Sequence, residues 1–240
     1  MSFIPATPSW LPMSPDLALV PNHIHLFLAT TEISDDSIAH LDSFLSSEER
    51  ERFARFRMPQ KRNEAIVSRA LLRERLSGFL DIPPAQIALA VNPHGKPHIE
   101  GAPVYFNVSH TAGCVLLAVS GEHELGVDIE SPREHLSHED LAKRYFTAAE
   151  HAALLEYPQD QRTIAFFRCW TRKEALLKAI GRGISGGLDT FEVPLGELSS
   201  PLTLDGWTLH DLAVPSPHIA ALATRQTRPL LHFWRWHPPR

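Results

Sequence analysis

The sequence predicts an α+β fold built from two similar halves with a ligand cleft between them. Four short segments of the first half recur in the same order about a hundred residues later, which is the signature of an internal repeat. In each half, Ser46 or Thr147 stands three residues before a glutamate, and this spacing is the capping box that opens a helix. Each half combines helical periodicity with short apolar runs. Segregated helices over mostly antiparallel strands therefore account best for the pattern.

Short apolar and β-branched runs predict strands, and the longer amphipathic stretches after the capping boxes predict helices. The first half is predicted to form a strand at 24–29, helices at 36–45, 47–57 and 61–80, and strands at 86–91, 104–107 and 115–119. The second is predicted to form a strand at 125–130, helices at 139–145, 148–156 and 162–180, and strands at 191–193, 207–212, 219–223 and 231–234. Gly181 follows the last long helix, as a helix-ending glycine does. We place the two subdomains at residues 1–121 and 122–240.

Composition disfavours several classes of protein. Acidic residues outnumber basic ones by 28 to 23, and the resulting net charge of −5 argues against a nucleic-acid partner. No apolar run approaches the length of a membrane span, and the proline-interrupted N-terminus lacks the pattern of a signal peptide. Cys114 and Cys169 lie in apolar stretches, where packing is expected rather than pairing. We expect a cytoplasmic protein with no membrane partner.

The first motif with chemical potential is Gly-Val-Asp-Ile-Glu at 126–130. Asp128 and Glu130 are two residues apart on a predicted strand, so both carboxylates project from one face. The opposite face is apolar, and two carboxylates beside a core require a strong counter-charge. Mg²⁺ suits them because it takes oxygen ligands from few carboxylates together with substrate phosphates. The alternative is a structural pair neutralised by arginines.

The second motif lies on a predicted helix, where Trp170, Glu174 and Lys178 follow one another along one stripe. Taken alone, Glu174 and Lys178 would form an ordinary salt bridge on a solvated face. The helix is apolar over much of its circumference, however, so the charged residues are expected to face a cleft. Asp128, Glu130 and Glu174 would then hold a divalent cation against a polyphosphate, with Lys178 beside it.

Two further segments complete the predicted site. In Gly95-Lys96-Pro97 the glycine permits a tight turn and the proline restricts the chain after it, so Lys96 is presented from a defined loop. Ser109 and His110 come just after an apolar run, where a hydroxyl, an imidazole and backbone amides can meet an anion. His110 could equally be a loop histidine with internal partners. A Ser-His nucleophilic dyad is disfavoured because adjacent residues of an extended segment point to opposite faces.

Together these motifs resemble the 4′-phosphopantetheinyl transferase superfamily, in the longer, surfactin-synthetase-activating type. The resemblance extends over roughly residues 46–187 and rests on Gly95-Lys96-Pro97, Phe106-Asn107-Val108-Ser109-His110, Gly126-Val127-Asp128-Ile129-Glu130, Arg144-Tyr145-Phe146 and Trp170-Thr171-Arg172-Lys173-Glu174-Ala175 with Lys178. The family fold, two halves related by a pseudo-twofold axis, agrees with the internal repeat.

The resemblance implies a role for each matched residue. Asp128, Glu130 and Glu174 would hold Mg²⁺ against the diphosphate of coenzyme A. Its phosphates would be contacted by Lys96, Ser109, His110 and Lys178, and its 3′-phosphate by Arg52. One residue departs from the family pattern: Glu64 stands where some members carry a further basic residue for the 3′-phosphate, and Arg62 and Arg69 are the candidates to replace it.

The implied reaction moves 4′-phosphopantetheine from coenzyme A onto a serine hydroxyl of an acyl, polyketide or peptidyl carrier protein and releases 3′,5′-ADP. Glu174, directly or through a metal-bound water, is the candidate base, and Lys178 is the second catalytic residue. One rival is a non-catalytic carrier-protein or nucleotide-binding module of the same fold. Another is a Mg²⁺-dependent hydrolase. Two halves in one chain favour a monomer.

Overall fold

The computed structural model describes residues 9–14, 17–134, 136–182 and 187–239. Its helices lie on the outer faces of two packed β-sheets, which confirms the predicted α+β class. Within the described ranges, no helix is both long enough and apolar enough to cross a membrane.

In each half, a run of three consecutive helices lies between strands. The first half forms β1 (Leu11–Pro12), β2 (His23–Thr30), α1 (Asp35–Asp42), α2 (Ser47–Ala54), α3 (Pro59–Leu80), β3 (Ala90–Val91), β4 (Pro97–His98), β5 (Tyr105–Thr111) and β6 (Cys114–Ser120). The second half forms β7 (Leu125–Glu130), α4 (His138–Tyr145), α5 (Ala148–Glu156), α6 (Gln159–Ile180), β8 (Leu202–Leu204), β9 (Trp207–Leu212), β10 (Ile219–Thr224) and β11 (Leu230–Arg235). Short 3₁₀ turns follow both long helices, at Pro84–Gln86 and Leu188–Thr190.

Two sheets form the centre of the molecule, with strand orders β1-β11-β2-β6-β5 and β7-β10-β9-β8. Alternating side chains place three apolar clusters in successive layers. Leu26 of β2 and Leu222 of β10 lie in the cluster between the sheets. Phe27 packs with the helices of the first half, and Ala221 with those of the second. The order of layers is therefore helix, sheet, sheet, helix.

The internal repeat predicted from sequence is present in the structure. The strand order β2-β6-β5 in the first sheet corresponds to β7-β10-β9 in the second. The long helices α3 and α6 have 22 residues each and begin at Pro59 and Gln159. Both predicted capping boxes form, at Ser46 and at Thr147. The two halves thus share one arrangement of strands and helices.

A buried ion pair recurs at the same place in both halves. The capping-box glutamate of α2, Glu49, binds Arg73 of α3 at 2.6 Å, and Glu150 of α5 binds Lys173 of α6 at 2.8 Å. Each cation also donates to backbone carbonyls at the 3₁₀ turn after its helix, Arg73 to Pro84 and Lys173 to Leu188. Each pair is sequestered from water, and its cation is further compensated by these carbonyls. The pair therefore ties a capping helix, a long helix and a turn together in each half.

Some predicted strands are wrong. Of the strand predicted at 86–91, only Ala90–Val91 forms a paired strand. The preceding residues form the 3₁₀ turn and a loop. The strand predicted at 191–193 is a non-strand segment, and the outer strand of the second sheet is β8 instead. These short apolar segments follow 3₁₀ turns whose carbonyls bind the buried cations, so tertiary contacts determine their conformation.

The last strand of the chain belongs to the first sheet. β11 pairs in parallel with β2, from Leu230 opposite His23 to Arg235 opposite Leu28. It thus returns from the second half to cover the outer edge of β2. The subdomain boundary between residues 121 and 122 remains a prediction, as does the ligand cleft. Although β11 belongs to the second half of the chain, it is part of the first sheet.

Close contact between β7 and α6 depends on Gly126. A Cβ atom at this position would lie 2.2 Å from the carbonyl oxygen of Ala175 and 2.3 Å from the amide nitrogen of Ala179. Both atoms belong to the backbone of α6, so no side-chain rotation can relieve the clash. The absence of a side chain at Gly126 is therefore what allows the strand and the helix to pack at this distance.

Replacing Gly126 with alanine is expected to force α6 away from β7 and to lower the free energy of unfolding by about 2 kcal/mol or more. Urea denaturation measures this loss. Gly78→Ala is the matched control, because a Cβ at Gly78 of α3 meets no atom within 4 Å. It is expected to stabilise the protein by up to about 1 kcal/mol. Equal stability of Gly126→Ala and the wild type would contradict the tight packing.

Candidate active site

The strand that carries two of the predicted acids is joined to β5 by a ladder of side chains. Asn107 Oδ1 accepts from the amide of Val127 at 2.9 Å, and Ser109 Oγ accepts from that of Ile129 at 3.3 Å. Thr111 Oγ1 accepts from the amide of residue 131 at 3.1 Å. These β5 residues are two apart and so project from one face. They satisfy the amides on the edge of β7 that faces away from β10, and they hold the acidic strand in register.

Three of the predicted site residues, Ser109, Asp128 and Lys178, are directly hydrogen-bonded to one another. Lys178 Nζ lies 2.6 Å from Asp128 Oδ1 and 2.9 Å from Ser109 Oγ. The hydroxyl of Ser109 donates to the same Asp128 oxygen at 2.8 Å. Asp128 is 4% exposed, whereas the side chain of Lys178 retains 25% of its exposure. The cluster is thus anchored in the core and opens towards solvent at the lysine.

Two acidic oxygens beside this cluster lack partners. Asp128 Oδ2 and Glu174 Oε1 are buried, and neither has a hydrogen-bond partner among the described residues. Burial, together with the negative charges of Asp128 and Glu130 and against the opposing charge of Lys178, raises the pKa of Glu174 to about 7. Unpaired buried carboxylate oxygens are unfavourable unless a proton, a cation or a ligand reaches them. These two oxygens are therefore suited to binding a metal cation or to accepting a proton during a reaction.

Glu130, the third predicted metal ligand, lies at the end of β7. Its Oε2 atom is 3.2 Å from a guanidinium nitrogen of Arg133. Burial and the neighbouring Asp128 charge raise the pKa of Glu130, and Arg133 lowers it. Among the residues that the structure describes, no group of three His, Cys, Asp or Glu side chains is arranged as a metal site. The oxygen-rich set fits a hard cation through Asp128 and Glu174, because Mg²⁺ needs only one or two carboxylates when phosphates supply other ligands.

His110 follows Ser109 on β5, and charged residues of several elements influence its imidazole. Partial burial of its imidazole and the positive charge of Lys178 lower its pKa, whereas Glu64 and Asp128 raise it. The charges that act on His110 thus come from α3 as well as from β7 and α6.

Two residues predicted to bind phosphate, Lys96 and Arg52, make other contacts in the structure. Lys96 Nζ donates to the carbonyl oxygens of Leu125 at 3.1 Å and Ala179 at 3.0 Å. Lys96 therefore joins the start of β7 to the last turn of α6, and it also lines a cavity of about 510 Å³. Arg52 is exposed on α2, with its guanidinium 4.9 Å from the ring of Phe53. The roles of Lys96 and Arg52 towards a ligand remain predictions.

Two cations inside the second motif, to which the sequence assigned no role, are buried. Arg172 binds both carboxylate oxygens of Asp211 and the carbonyl of Pro194. Lys173 is fully buried against Glu150. The internal repeat is the signal that could have indicated a buried ion pair for Lys173, because Arg73 makes the equivalent ion pair in the first half. Trp170 packs edge-on against Tyr145, with ring centroids 5.8 Å apart, and contributes to the apolar core of the second half.

Comparison with known proteins agrees with these motifs. The model of the 4′-phosphopantetheinyl transferase superfamily matches residues 124–222, and that of the 4′-phosphopantetheinyl transferase N-terminal region matches residues 32–122. The 4′-phosphopantetheinyl transferase HetI of Nostoc sp. is 33% identical over 234 residues, which cover 95% of this chain and 98% of HetI. The 4′-phosphopantetheinyl transferase Sfp of Bacillus subtilis is 32% identical over 164 residues, or 68% of this chain and 72% of Sfp.

A third relative, the 4′-phosphopantetheinyl transferase psf-1 of Bacillus pumilus, is 34% identical over 162 residues, covering 67% of this chain and 68% of psf-1. The chain belongs to the 4′-phosphopantetheinyl transferase superfamily and is an enzyme of that class. The resemblance inferred from the motifs is thereby confirmed.

The contrast between Lys173 and Lys178, five residues apart on α6, leads to a paired prediction. Lys173→Met leaves Glu150 buried without its cation and is expected to cost about 3–5 kcal/mol of unfolding free energy. Lys178→Met removes a partly exposed ammonium and is expected to cost about 1–2 kcal/mol, while lowering kcat/KM about 100-fold or more. Urea denaturation and transfer kinetics separate the two effects. A Lys178→Met protein with near-normal kcat/KM would remove this lysine from the site.

Proposed function

We propose that the protein transfers 4′-phosphopantetheine from coenzyme A to a serine hydroxyl of an acyl, polyketide or peptidyl carrier protein. The serine oxygen bonds to the phosphorus that carries pantetheine, and the bond from this phosphorus to the bridging oxygen of the diphosphate breaks. The hydroxyl proton passes to a base, and 3′,5′-ADP leaves with the bridging oxygen. The observation that carries the proposal is the Ser109–Asp128–Lys178 cluster, beside which acidic oxygens have no partner among the residues that the structure describes, in a chain of this family.

Asp128 and Glu174 are the proposed ligands of Mg²⁺, through the two oxygens that have no hydrogen-bond partner in the described part of the chain. Glu130 is proposed as a third acidic ligand and would have to share its carboxylate with Arg133. When bound, Mg²⁺ would neutralise part of the negative charge of the diphosphate. Phosphoryl transfer depends mainly on positioning and charge neutralisation, so a cation site beside a lysine suits it.

The remaining roles follow from the contacts of each side chain. Lys178 is partly exposed and is proposed to bind the diphosphate and to stabilise the charge that develops on the leaving group. Ser109 holds Lys178 and Asp128 in place, and its hydroxyl would turn to a phosphate when one binds. His110 and Lys96 are proposed as further phosphate contacts, and Arg52 as a contact to the 3′-phosphate. Glu174 is the proposed base for the serine proton.

The proposed partners follow from charge and organisation. The carrier protein is the protein partner, and the net charge of −5 gives no reason to expect a nucleic-acid partner. Both β5 and β7 come from one chain and together frame the acidic cluster, so a monomer is proposed to be active. Cys114 and Cys169 are free and buried, as is common in a reducing cytoplasm, where we place the enzyme.

Incubation with coenzyme A, Mg²⁺ and apo carrier proteins of the three classes tests the proposal by mass spectrometry. The carrier is expected to gain the mass of phosphopantetheine on its serine. A binding module would leave all carriers unmodified while still binding them or the nucleotide. A hydrolase would release 3′,5′-ADP from coenzyme A and water without any carrier. Either result would refute the proposed transfer.

Asp128→Asn is expected to lower the transfer rate at least about 100-fold while the protein stays folded, because the amide retains the shape of the carboxylate but not its charge. The rate is measured as carrier modified per minute, and folding by thermal denaturation. Asp160→Asn is the control, since Asp160 is exposed in the first turn of α6, far along the helix from Glu174. Normal turnover in Asp128→Asn would exclude Asp128 from the reaction.

A further inference from the structure

Three histidines and a tryptophan form a cluster where the C-terminal strand joins the first sheet. His23 and His25 lie two residues apart on β2, and His232 and Trp234 lie two apart on β11. The parallel register places His232 opposite His25. Residues two apart on paired strands project from one face, so the four rings lie together. None of the four belongs to the candidate active site.

His25 is the buried member of this cluster, and both of its ring nitrogens are occupied. Its Nδ1 atom accepts a hydrogen bond from the indole of Trp234 at 3.0 Å, and its Nε2 atom donates to the carbonyl oxygen of Ala18 at 3.1 Å. An indole N–H can only donate and a carbonyl can only accept, so this ring is neutral in one fixed tautomer. His25 therefore supports its neighbours and offers no lone pair to a ligand.

His23 and His232 direct a ring nitrogen at each other. Nδ1 of His23 lies 3.0 Å from Nε2 of His232, and the ring centroids are 4.9 Å apart. The ring of His232 also lies 5.0 Å from that of His25, at an angle of 20°. Burial of His232 and the charge of His23 lower the pKa of His232, which favours a neutral imidazole. Both rings are only partly buried, so a solute can reach this pair of nitrogens.

The separation of the two nitrogens fits two ligands of one metal ion. With the nitrogens kept 3.0 Å apart, metal–nitrogen bonds of about 2.0–2.1 Å enclose an angle of about 90–95°. This is the angle between neighbouring ligands in square-planar or tetragonal sites, which Cu²⁺ and Ni²⁺ favour. The proton between the two nitrogens would move to the other nitrogen of its own ring, so both lone pairs become available.

The pair differs in ligand chemistry from the proposed Mg²⁺ site. Mg²⁺ takes oxygen ligands, whereas imidazole suits copper, nickel and zinc. In the described part of the chain, no third His, Cys, Asp or Glu completes a metal-binding group with these two histidines. Water would therefore supply the remaining ligands, as an exposed site at a sheet edge allows.

We propose that His23 and His232 bind one divalent transition-metal ion of the Cu²⁺ or Ni²⁺ type, which links β2 to β11. Cu²⁺ binds more tightly than Ni²⁺, as the general order of affinities for nitrogen ligands requires. Because β11 comes from the second half of the chain and pairs with β2 of the first, the ion stabilises the association of the two halves. This site goes beyond the proposed function and does not depend on it.

Calorimetry and electron paramagnetic resonance of the full chain with Cu²⁺ test the proposal, with Mg²⁺ in excess to occupy oxygen sites. In the wild type, one tightly bound Cu²⁺ is expected to show two equatorial nitrogen ligands. His23→Asn and His232→Gln each place an amide near the ring nitrogen that they replace, so a hydrogen bond is retained but a metal ligand is lost. Each variant is expected to raise the dissociation constant at least about tenfold.

The chain contains 14 histidines, so a control for binding elsewhere is needed. His40→Gln serves, because His40 is exposed on α1 and its ring packs beside that of Phe44. This variant is expected to bind Cu²⁺ as the wild type does. At one hundred times the dissociation constant, Cu²⁺ is also expected to raise the midpoint of thermal unfolding of the wild type by about 5 °C. Thermal denaturation without metal verifies that each variant folds.

Two nitrogen ligands in the wild type, with weaker binding in both His23→Asn and His232→Gln and unchanged binding in His40→Gln, support the proposal. Where one of the two site variants does not fold, the other alone decides. Any other result overturns it, including coordination through fewer than two nitrogens. Neither coenzyme A nor a carrier protein enters these measurements, so their outcome is independent of the proposed transfer.

Discussion

The candidate active site depends on how β7 is held between β5 and α6. On one side, Asn107 and Ser109 bind the outward-facing amides of β7, and on the other, Gly126 lets the backbone of α6 approach closely. A shift of β7 by one residue would exchange its two faces and turn Asp128 into the layer between the sheets. The ladder and the glycine contact together prevent such a shift. They thereby bring the carboxylate of Asp128 on β7 and the ammonium of Lys178 on α6 within hydrogen-bonding distance.

The internal repeat supplies a scaffold twice, but the acidic residues of the candidate site come from the second half. Glu74 holds the position on α3 that Glu174 holds on α6, yet Glu74 binds Arg75 and accepts from the indole of Trp236 at 2.7 Å. Phe27 on β2 faces the helices, as Asp128 on β7 does, and packs in the core. The C-terminal strand β11 also covers the edge of β2. The repeated ion pairs stabilise both halves, whereas the three acids proposed as metal ligands, together with Lys178, come from the second half.

The predicted helices were accurate because their signals are local. Capping boxes at Ser46 and Thr147 and the long periodic stretches before Asp81 and Gly181 require few distant contacts. The predictions at 86–91 and 191–193 were wrong because those short apolar segments follow turns that bind buried cations. In the site, residue spacing identified the acids of β7 and the charged stripe of α6. It gave no indication that Lys96 would bond to two carbonyls or that Lys61 would pair with Glu64.

By itself, the sequence determined the fold class, the repeat, the family and the set of side chains proposed for the site. All of these depend on periodicity, capping and motif order, which are properties of neighbouring residues. Only the tertiary structure decided which charges are paired and which are left open. Among the described residues, Asp128 Oδ2, Glu174 Oε1 and Glu64 Oε1 have no hydrogen-bond partners because of how separate elements pack against one another. Such a balance of charges depends on distances between residues far apart in the chain, and spacing along the chain does not encode those distances directly.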